Sequence, residues 1–156
     1  MLRFLLVMGL VMGQADSVGL PPFAVVMHRS NPNTNLRLTD VQGFFGGAVK
    51  QWPNGSKVVL VERDTGSPAY RFLLTRLLHM SATEYKRRLA NLEFAGEAPV
   101  TIKILNSEAA ACKFVFNVPG AIALIEMNSL RAPGCGGVET ARIDGRLPGQ
   151  EGYRLR

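Results

Sequence analysis

The sequence predicts an α/β fold with a mostly parallel central sheet and helices on both faces. Three observations carry this. Short apolar runs recur at residues 23–27 (FAVVM), 57–61 (KVVLV), 100–105, 121–125 and 138–143, the length of buried strands. Helical segments with recognisable start signals separate most of them, and strands alternating with helices imply parallel pairing covered on both sides. Finally, 156 residues at 47% hydrophobic are enough for the core of one domain.

Each element follows from local chemistry. Asn31-Pro32-Asn33 breaks the first strand. Thr39 and Gln42 have the spacing of a capping box, so a short helix is expected to run to about Phe45. Gly46-Gly47 stops it, because glycine enters the left-handed conformation cheaply. Pro53-Asn54-Gly55 is a turn before the second strand. Ser67 followed by Pro68 reads as an N-cap with proline at the first helical position, opening a helix to about Met80. Ser81 and Glu84 form a second capping box, and Tyr85, Leu89 and Leu92 make the apolar stripe of its helix. A helix over 107–117 is expected to bury Ala109, Cys112 and Phe116, and Pro119-Gly120 ends it. The expected core is Val25, Val59, Leu60, Leu73, Leu77, Leu89, Phe116, Ile122 and Leu124.

Residues 1–15 are set apart. Arg3 precedes an apolar stretch at 4–12, with Gly13 and Ala15 as the small residues of a cleavage site. This is the three-part pattern of a signal peptide and is too short to span a bilayer. The expectation is export, cleavage after Ala15, a single domain over 16–156 and no membrane span in the mature chain. Lys and Arg total 18 against 12 Asp and Glu, but no run of five like charges marks a nucleic-acid tail. Two cysteines and two histidines, all far apart, give no metal-ligand spacing, so no metal and no cofactor are implied. Cys112, on an apolar helical face, is read as a buried free thiol although export would permit a bridge to Cys135. Lys86-Arg87-Arg88 reads as a solvated helix face.

The chemistry points to residues 61–68, Val-Glu-Arg-Asp-Thr-Gly-Ser-Pro. A strand ends, a polar loop follows and a helix begins. Free amides and the dipole at a helix start suit an anion, and Arg63 offers a planar two-pronged donor. Thr65, Gly66 and Ser67 complete the candidate loop; His28, after the first strand, reads foremost as a loop histidine with a solvated ring and alternatively as a further candidate at the same cleft edge. In open α/β sheets ligands sit beyond the carboxyl ends of the strands. No serine, histidine and acid group together, so no hydrolase is read.

Three motifs then carry a resemblance. Phe45 to Gly55 is similar to F-x-G-x-x-x-x-W-x-x-G, Arg63 to Phe72 to the phosphate loop R-x-D-x-S-G-T-x-x-x-F, and Pro119 to Leu124 to P-G-A-I-G-Y. In this order they resemble the periplasmic phosphate-binding proteins, the type 2 solute-binding fold of phosphate ABC transporters. The resemblance implies a three-layer single lobe of that fold, a periplasmic location and phosphate or another oxyanion at Arg63 and Ser67, linked to phosphate uptake or sensing. The departures are specific. The G-S-x-T loop of the first lobe has no counterpart before Val25. Thr65 stands where aspartate is usual, Pro68 replaces glycine and Ala69 replaces threonine. Proline lacks an N–H and alanine lacks the hydroxyl. Each lost charge-assisted bond is worth about 1.5–3 kcal/mol, so phosphate is expected to bind about one to four decades more weakly. The alternative is a ligand-free periplasmic accessory protein that keeps the fold and binds a protein partner or itself.

Overall fold

The computed structural model describes residues 19–95 and 99–156. The expected leader at 1–15 lies outside them. The central sheet has five strands in the order β4-β3-β5-β1-β6. They are β1 (Phe23–Met27), β3 (Val59–Arg63), β4 (Thr101–Leu105), β5 (Ala121–Glu126) and β6 (Glu139–Thr140). β3 runs parallel to β4 and β5. β1 is antiparallel to both β5 and β6. Four strands therefore share one direction and β1 opposes them. A short parallel pair, β2 (Asn35–Leu36) with β7 (Arg142–Ile143), lies beside the sheet.

Strand alternation divides the side chains between two cores. Val25, Leu60, Ile122 and Leu124 face α1 (Leu38–Phe45), α2 (Pro68–Phe72) and the segment that continues it, and α3 (Ala82–Phe94). Val26, Val61, Ala121, Ala123 and Ile125 face α4 (Glu108–Asn117) and the Cys135 loop. The expected layering of helices on both faces is what the chain forms.

Several local signals act as their chemistry dictates. Ser67 Oγ accepts the Tyr70 N–H at 3.1 Å and caps α2. Ser81 and Glu84 exchange both bonds of a capping box at the start of α3. Gly47 is left-handed (φ 77°) just past α1. Trp52 is buried in the core, donating Nε1–H to the Gly120 carbonyl at 3.0 Å.

Other expectations are corrected. The cap of α1 is Arg37, paired with Asp40, not Thr39. Gln42 instead donates Nε2–H to the Leu77 carbonyl, tying α1 to the opposite helix. The second strand starts at Val59, with Lys57 in an isolated bridge to Gln51. The α2 helix passes into a π-helix at Leu73–Leu78 and closes at His79, which is left-handed (φ 53°). The last predicted strand divides into β6 and β7, which join different sheets.

The α4 helix buries Ala111, Cys112 and Val115, a face turned from the expected one, and leaves Ala109 and Phe116 exposed. Phe116 instead lies beneath the Arg29 guanidinium, 5.2 Å from the ring centroid. Val59 and Leu89 are only partly buried, since Val59 opens β3 and α3 lies at the rim of the core. Cys112 is not a free thiol. It is bridged to Cys135, which anchors the Gly-rich loop to α4. A buried helical face and a bridge are compatible because Cys135 is itself buried against that face.

Candidate functional site

Arg63 is the last residue of β3 and Glu62 the one before, so they face opposite sides of the sheet. Arg63 shares the side of Val61 and α4. Its guanidinium is taken up by the β4–α4 junction. Nη1–H donates to Glu108 Oε1 at 2.5 Å, Nε–H to the Leu105 carbonyl at 3.2 Å and Nη2–H to the Asn106 carbonyl at 3.3 Å. The side chains of Arg63 and Glu108 are 11% and 18% exposed. A looser contact of 3.5 Å reaches Asp64. The expected orientation toward the α2 terminus is therefore not adopted. The α4 side offers a carboxylate and two carbonyls, which satisfy more of the five guanidinium N–H groups than helix amides, themselves donors, can.

Glu108 is the first residue of α4, behind the cap Ser107, whose Oγ accepts the Ala110 N–H at 3.0 Å. Its second oxygen accepts the Glu126 N–H at 3.2 Å. The carboxylate thus sits at a helix start and holds an arginine and a backbone amide. Burial raises the Glu108 carboxyl above the usual range and the Arg63 charge pulls it back.

The other candidates are distributed unevenly. Ser67 is buried and its oxygen is engaged as the α2 cap. Thr65 and Gly66 form the exposed tip of the loop. Pro68 at the first helical position supplies no N–H, as expected. His28 does not join them. β1 runs against β5, pairing Met27 with Ile122 and Phe23 with Glu126, so His28 lies at the edge where β5 begins, whereas Arg63 lies where the parallel strands end. The His28 ring bonds locally to Ser30.

On the other side of β3, sequence reasoning missed a polar cluster. Glu62 is 7% exposed and shares a hydrogen bond with the Tyr85 hydroxyl, which also reaches the Phe45 carbonyl at 3.0 Å. Burial raises the Glu62 carboxyl and, with Glu62 nearby, also pushes up the hydroxyls of Tyr70 and Tyr85. Glu62, Tyr70 and Tyr85 open on a cleft of about 250 Å³ between β3, β4 and α3, with Arg63 and Thr65 at its edge. The available signal was the acid two residues beyond Leu60, on the core side of a buried strand.

Sheet order, helical layering and the β3–α2 loop together make an α/β fold similar to one lobe of two-lobed solute-binding proteins. Solved structures of phosphate-binding proteins share it. The chain is similar to PstS from Borrelia burgdorferi (TM-score 0.70, 13% identity, 86% of this chain and 54% of that one). It is also similar to an ABC-type phosphate transport receptor from Vibrio cholerae (0.63, 20%, 86% and 53%). A putative phosphate ABC transporter substrate-binding protein with bound phosphate from Clostridium perfringens is a third (0.62, 18%, 81% and 46%). The chain spans about half the length of these structures. No protein-family model and no curated protein sequence matches it.

Proposed function

We propose that the chain is an exported binding module, not an enzyme, that takes phosphate or another oxyanion weakly at the end of β3, in the context of phosphate uptake or sensing. One observation carries this reading. The donors at the carboxyl edge of the parallel strands already hold an oxyanion group, the chain's own Glu108 carboxylate, through Arg63 and the Glu126 amide. A phosphate reaching the loop from Thr65, Gly66 and Ser67 competes for Arg63 with that internal acid. Its affinity is accordingly about millimolar to tens of micromolar, or roughly −4 to −6 kcal/mol. The Cys112–Cys135 bridge supports export, since structural disulfides persist in oxidising compartments.

The same ion pair favours a second reading. An intramolecular carboxylate acts at a high effective concentration, and a loop permanently closed by Glu108 would leave a ligand-free accessory protein. Calorimetric titration of the purified protein with phosphate and with sulfate separates the two. Heat that saturates, falls with salt and is lost in Arg63→Ala supports binding. No response up to tens of millimolar leaves the accessory role.

A further inference from the structure

We infer that the cleft between β3, β4 and α3 is a second binding site, for a small uncharged apolar molecule bearing one hydroxyl group. The inference does not depend on the oxyanion reading.

The cleft presents two polar atoms, on side chains otherwise buried, whose hydrogen bonding the protein does not complete. Tyr85 carries one hydroxyl proton but contacts two acceptors, the Phe45 carbonyl and Glu62 Oε1. Both contacts become hydrogen bonds only when the Glu62 carboxyl carries a proton and donates it to Tyr85, which then donates to Phe45. The other Glu62 oxygen remains an acceptor, and among the described residues no group donates to it. Tyr70 is likewise 7% exposed, and its hydroxyl has no protein partner among the described residues. Both residues line the cleft. Among the described residues the only buried side-chain polar atom without a partner is the Tyr153 hydroxyl, so the open Glu62 oxygen and the Tyr70 hydroxyl reach the water of the cleft, which a ligand hydroxyl can replace.

The walls select the ligand. Leu89, Ile102 and Ile104 give an apolar lining, with Ile104 65% exposed at the mouth. A volume of about 250 Å³ exceeds the roughly 150 Å³ that suffices for benzene. The remaining acceptor of Glu62 calls for a donor. Tyr70 can donate or accept. A ligand hydroxyl fills both roles with one atom. A carboxylate cannot donate to Glu62, and a ketone can accept from Tyr70 but offers the Glu62 oxygen no donor. A cation or anion would have to lose its hydration among aliphatic side chains. Lys86 stands at the rim, with its ammonium free to stay in water.

Ligand-detected NMR and calorimetry with cyclohexanol, and with methylcyclohexane as its hydroxyl-free counterpart, test this on the whole protein. Cyclohexanol should bind with a Kd of about 1 mM or tighter, and methylcyclohexane at least threefold more weakly. Tyr70→Phe and Glu62→Leu should each weaken cyclohexanol about three- to tenfold, the worth of one neutral hydrogen bond, and leave methylcyclohexane unchanged or improved. Glu62→Leu leaves the Tyr85 hydroxyl its bond to Phe45, and circular dichroism checks that both variants fold. If Glu62→Leu does not fold, Tyr70→Phe decides alone. Absence of cyclohexanol binding, equal binding of the two probes, or binding indifferent to Tyr70→Phe overturns the proposal. Each would mean that water completes Glu62 and Tyr70.

Discussion

Glu108→Gln should strengthen phosphate binding. Arg63 is held by Glu108 at 2.5 Å, and both side chains are more than four-fifths buried, so the solvent screening that makes surface pairs nearly worthless applies only weakly. A hydrogen bond to a charged group is worth about 1.5–3 kcal/mol and a neutral one about 0.5–1.5. Glutamine keeps an acceptor for Arg63 or for the Glu126 amide but gives up the charge. The internal competitor then loses roughly 1–1.5 kcal/mol, and phosphate gains about five- to tenfold in affinity. The same loss should appear as a drop of similar size in unfolding free energy, because the variant no longer pairs the buried guanidinium with a charge. The assay is calorimetric titration with phosphate at low salt for wild type, Glu108→Gln and Arg63→Ala, with thermal unfolding of each. Unchanged or weaker phosphate binding in a folded Glu108→Gln protein refutes the competition. Undiminished binding in Arg63→Ala would place phosphate elsewhere.

Replacing Cys112 and Cys135 by serine should cost about 3 kcal/mol, the chain-entropy value for a loop closed across a separation of 23 residues; equal chemical-denaturation midpoints with and without reductant would contradict this. Gly120→Ala should destabilise by more than about 2 kcal/mol, since Gly120 has φ 84° and an added Cβ would lie 2.1 Å from the Lys57 carbonyl oxygen; a near-native melting temperature would be the opposing result. Burial raises the Glu62 carboxyl in the folded state, so its contribution to stability is complete below the unfolded value of about 4.3 and is lost as pH rises through the raised folded value. Glu62→Gln has no such titration, so melts from pH 4 to 8 should show the variant gaining on wild type as pH rises, and a constant difference would count against it. Mass spectrometry of exported protein should find Asp16 first, and an intact Met1 would oppose cleavage.

What the sequence disclosed was local or periodic. Ser67, Ser81 and Ser107 announce helix starts because a cap reaches only three residues. The strands are visible as apolar runs, but the reversal of β1 depends on pairing Val25 with Leu124, about a hundred residues apart. That reversal is what separates His28 from Arg63. The Cys112 bridge was hidden for a similar reason, since sequence spacing carries no distance. At α1 two boxes overlapped, and Asp40 outcompeted Gln42 because its carboxylate binds both the Arg37 amide and guanidinium.

The orientation of Arg63 was within reach of the sequence, because alternation along β3 places Leu60 and Glu62 on one face and Val61 and Arg63 on the other. One strand end therefore feeds two different environments. Toward α4 it gives a charged junction in which an arginine, a helix start and a carboxylate compensate one another. Toward α3 it gives an apolar cleft whose acid bonds Tyr85 through one oxygen and leaves the other open. Groups without shared partners contribute nearly independently. Glu108→Gln should then leave cyclohexanol affinity within about twofold of wild type, and Tyr70→Phe should do the same for phosphate. Strong coupling between the two would mean that Arg63, which touches the edge of the cleft, moves between them. The two-face division of β3 would then describe only the unliganded chain.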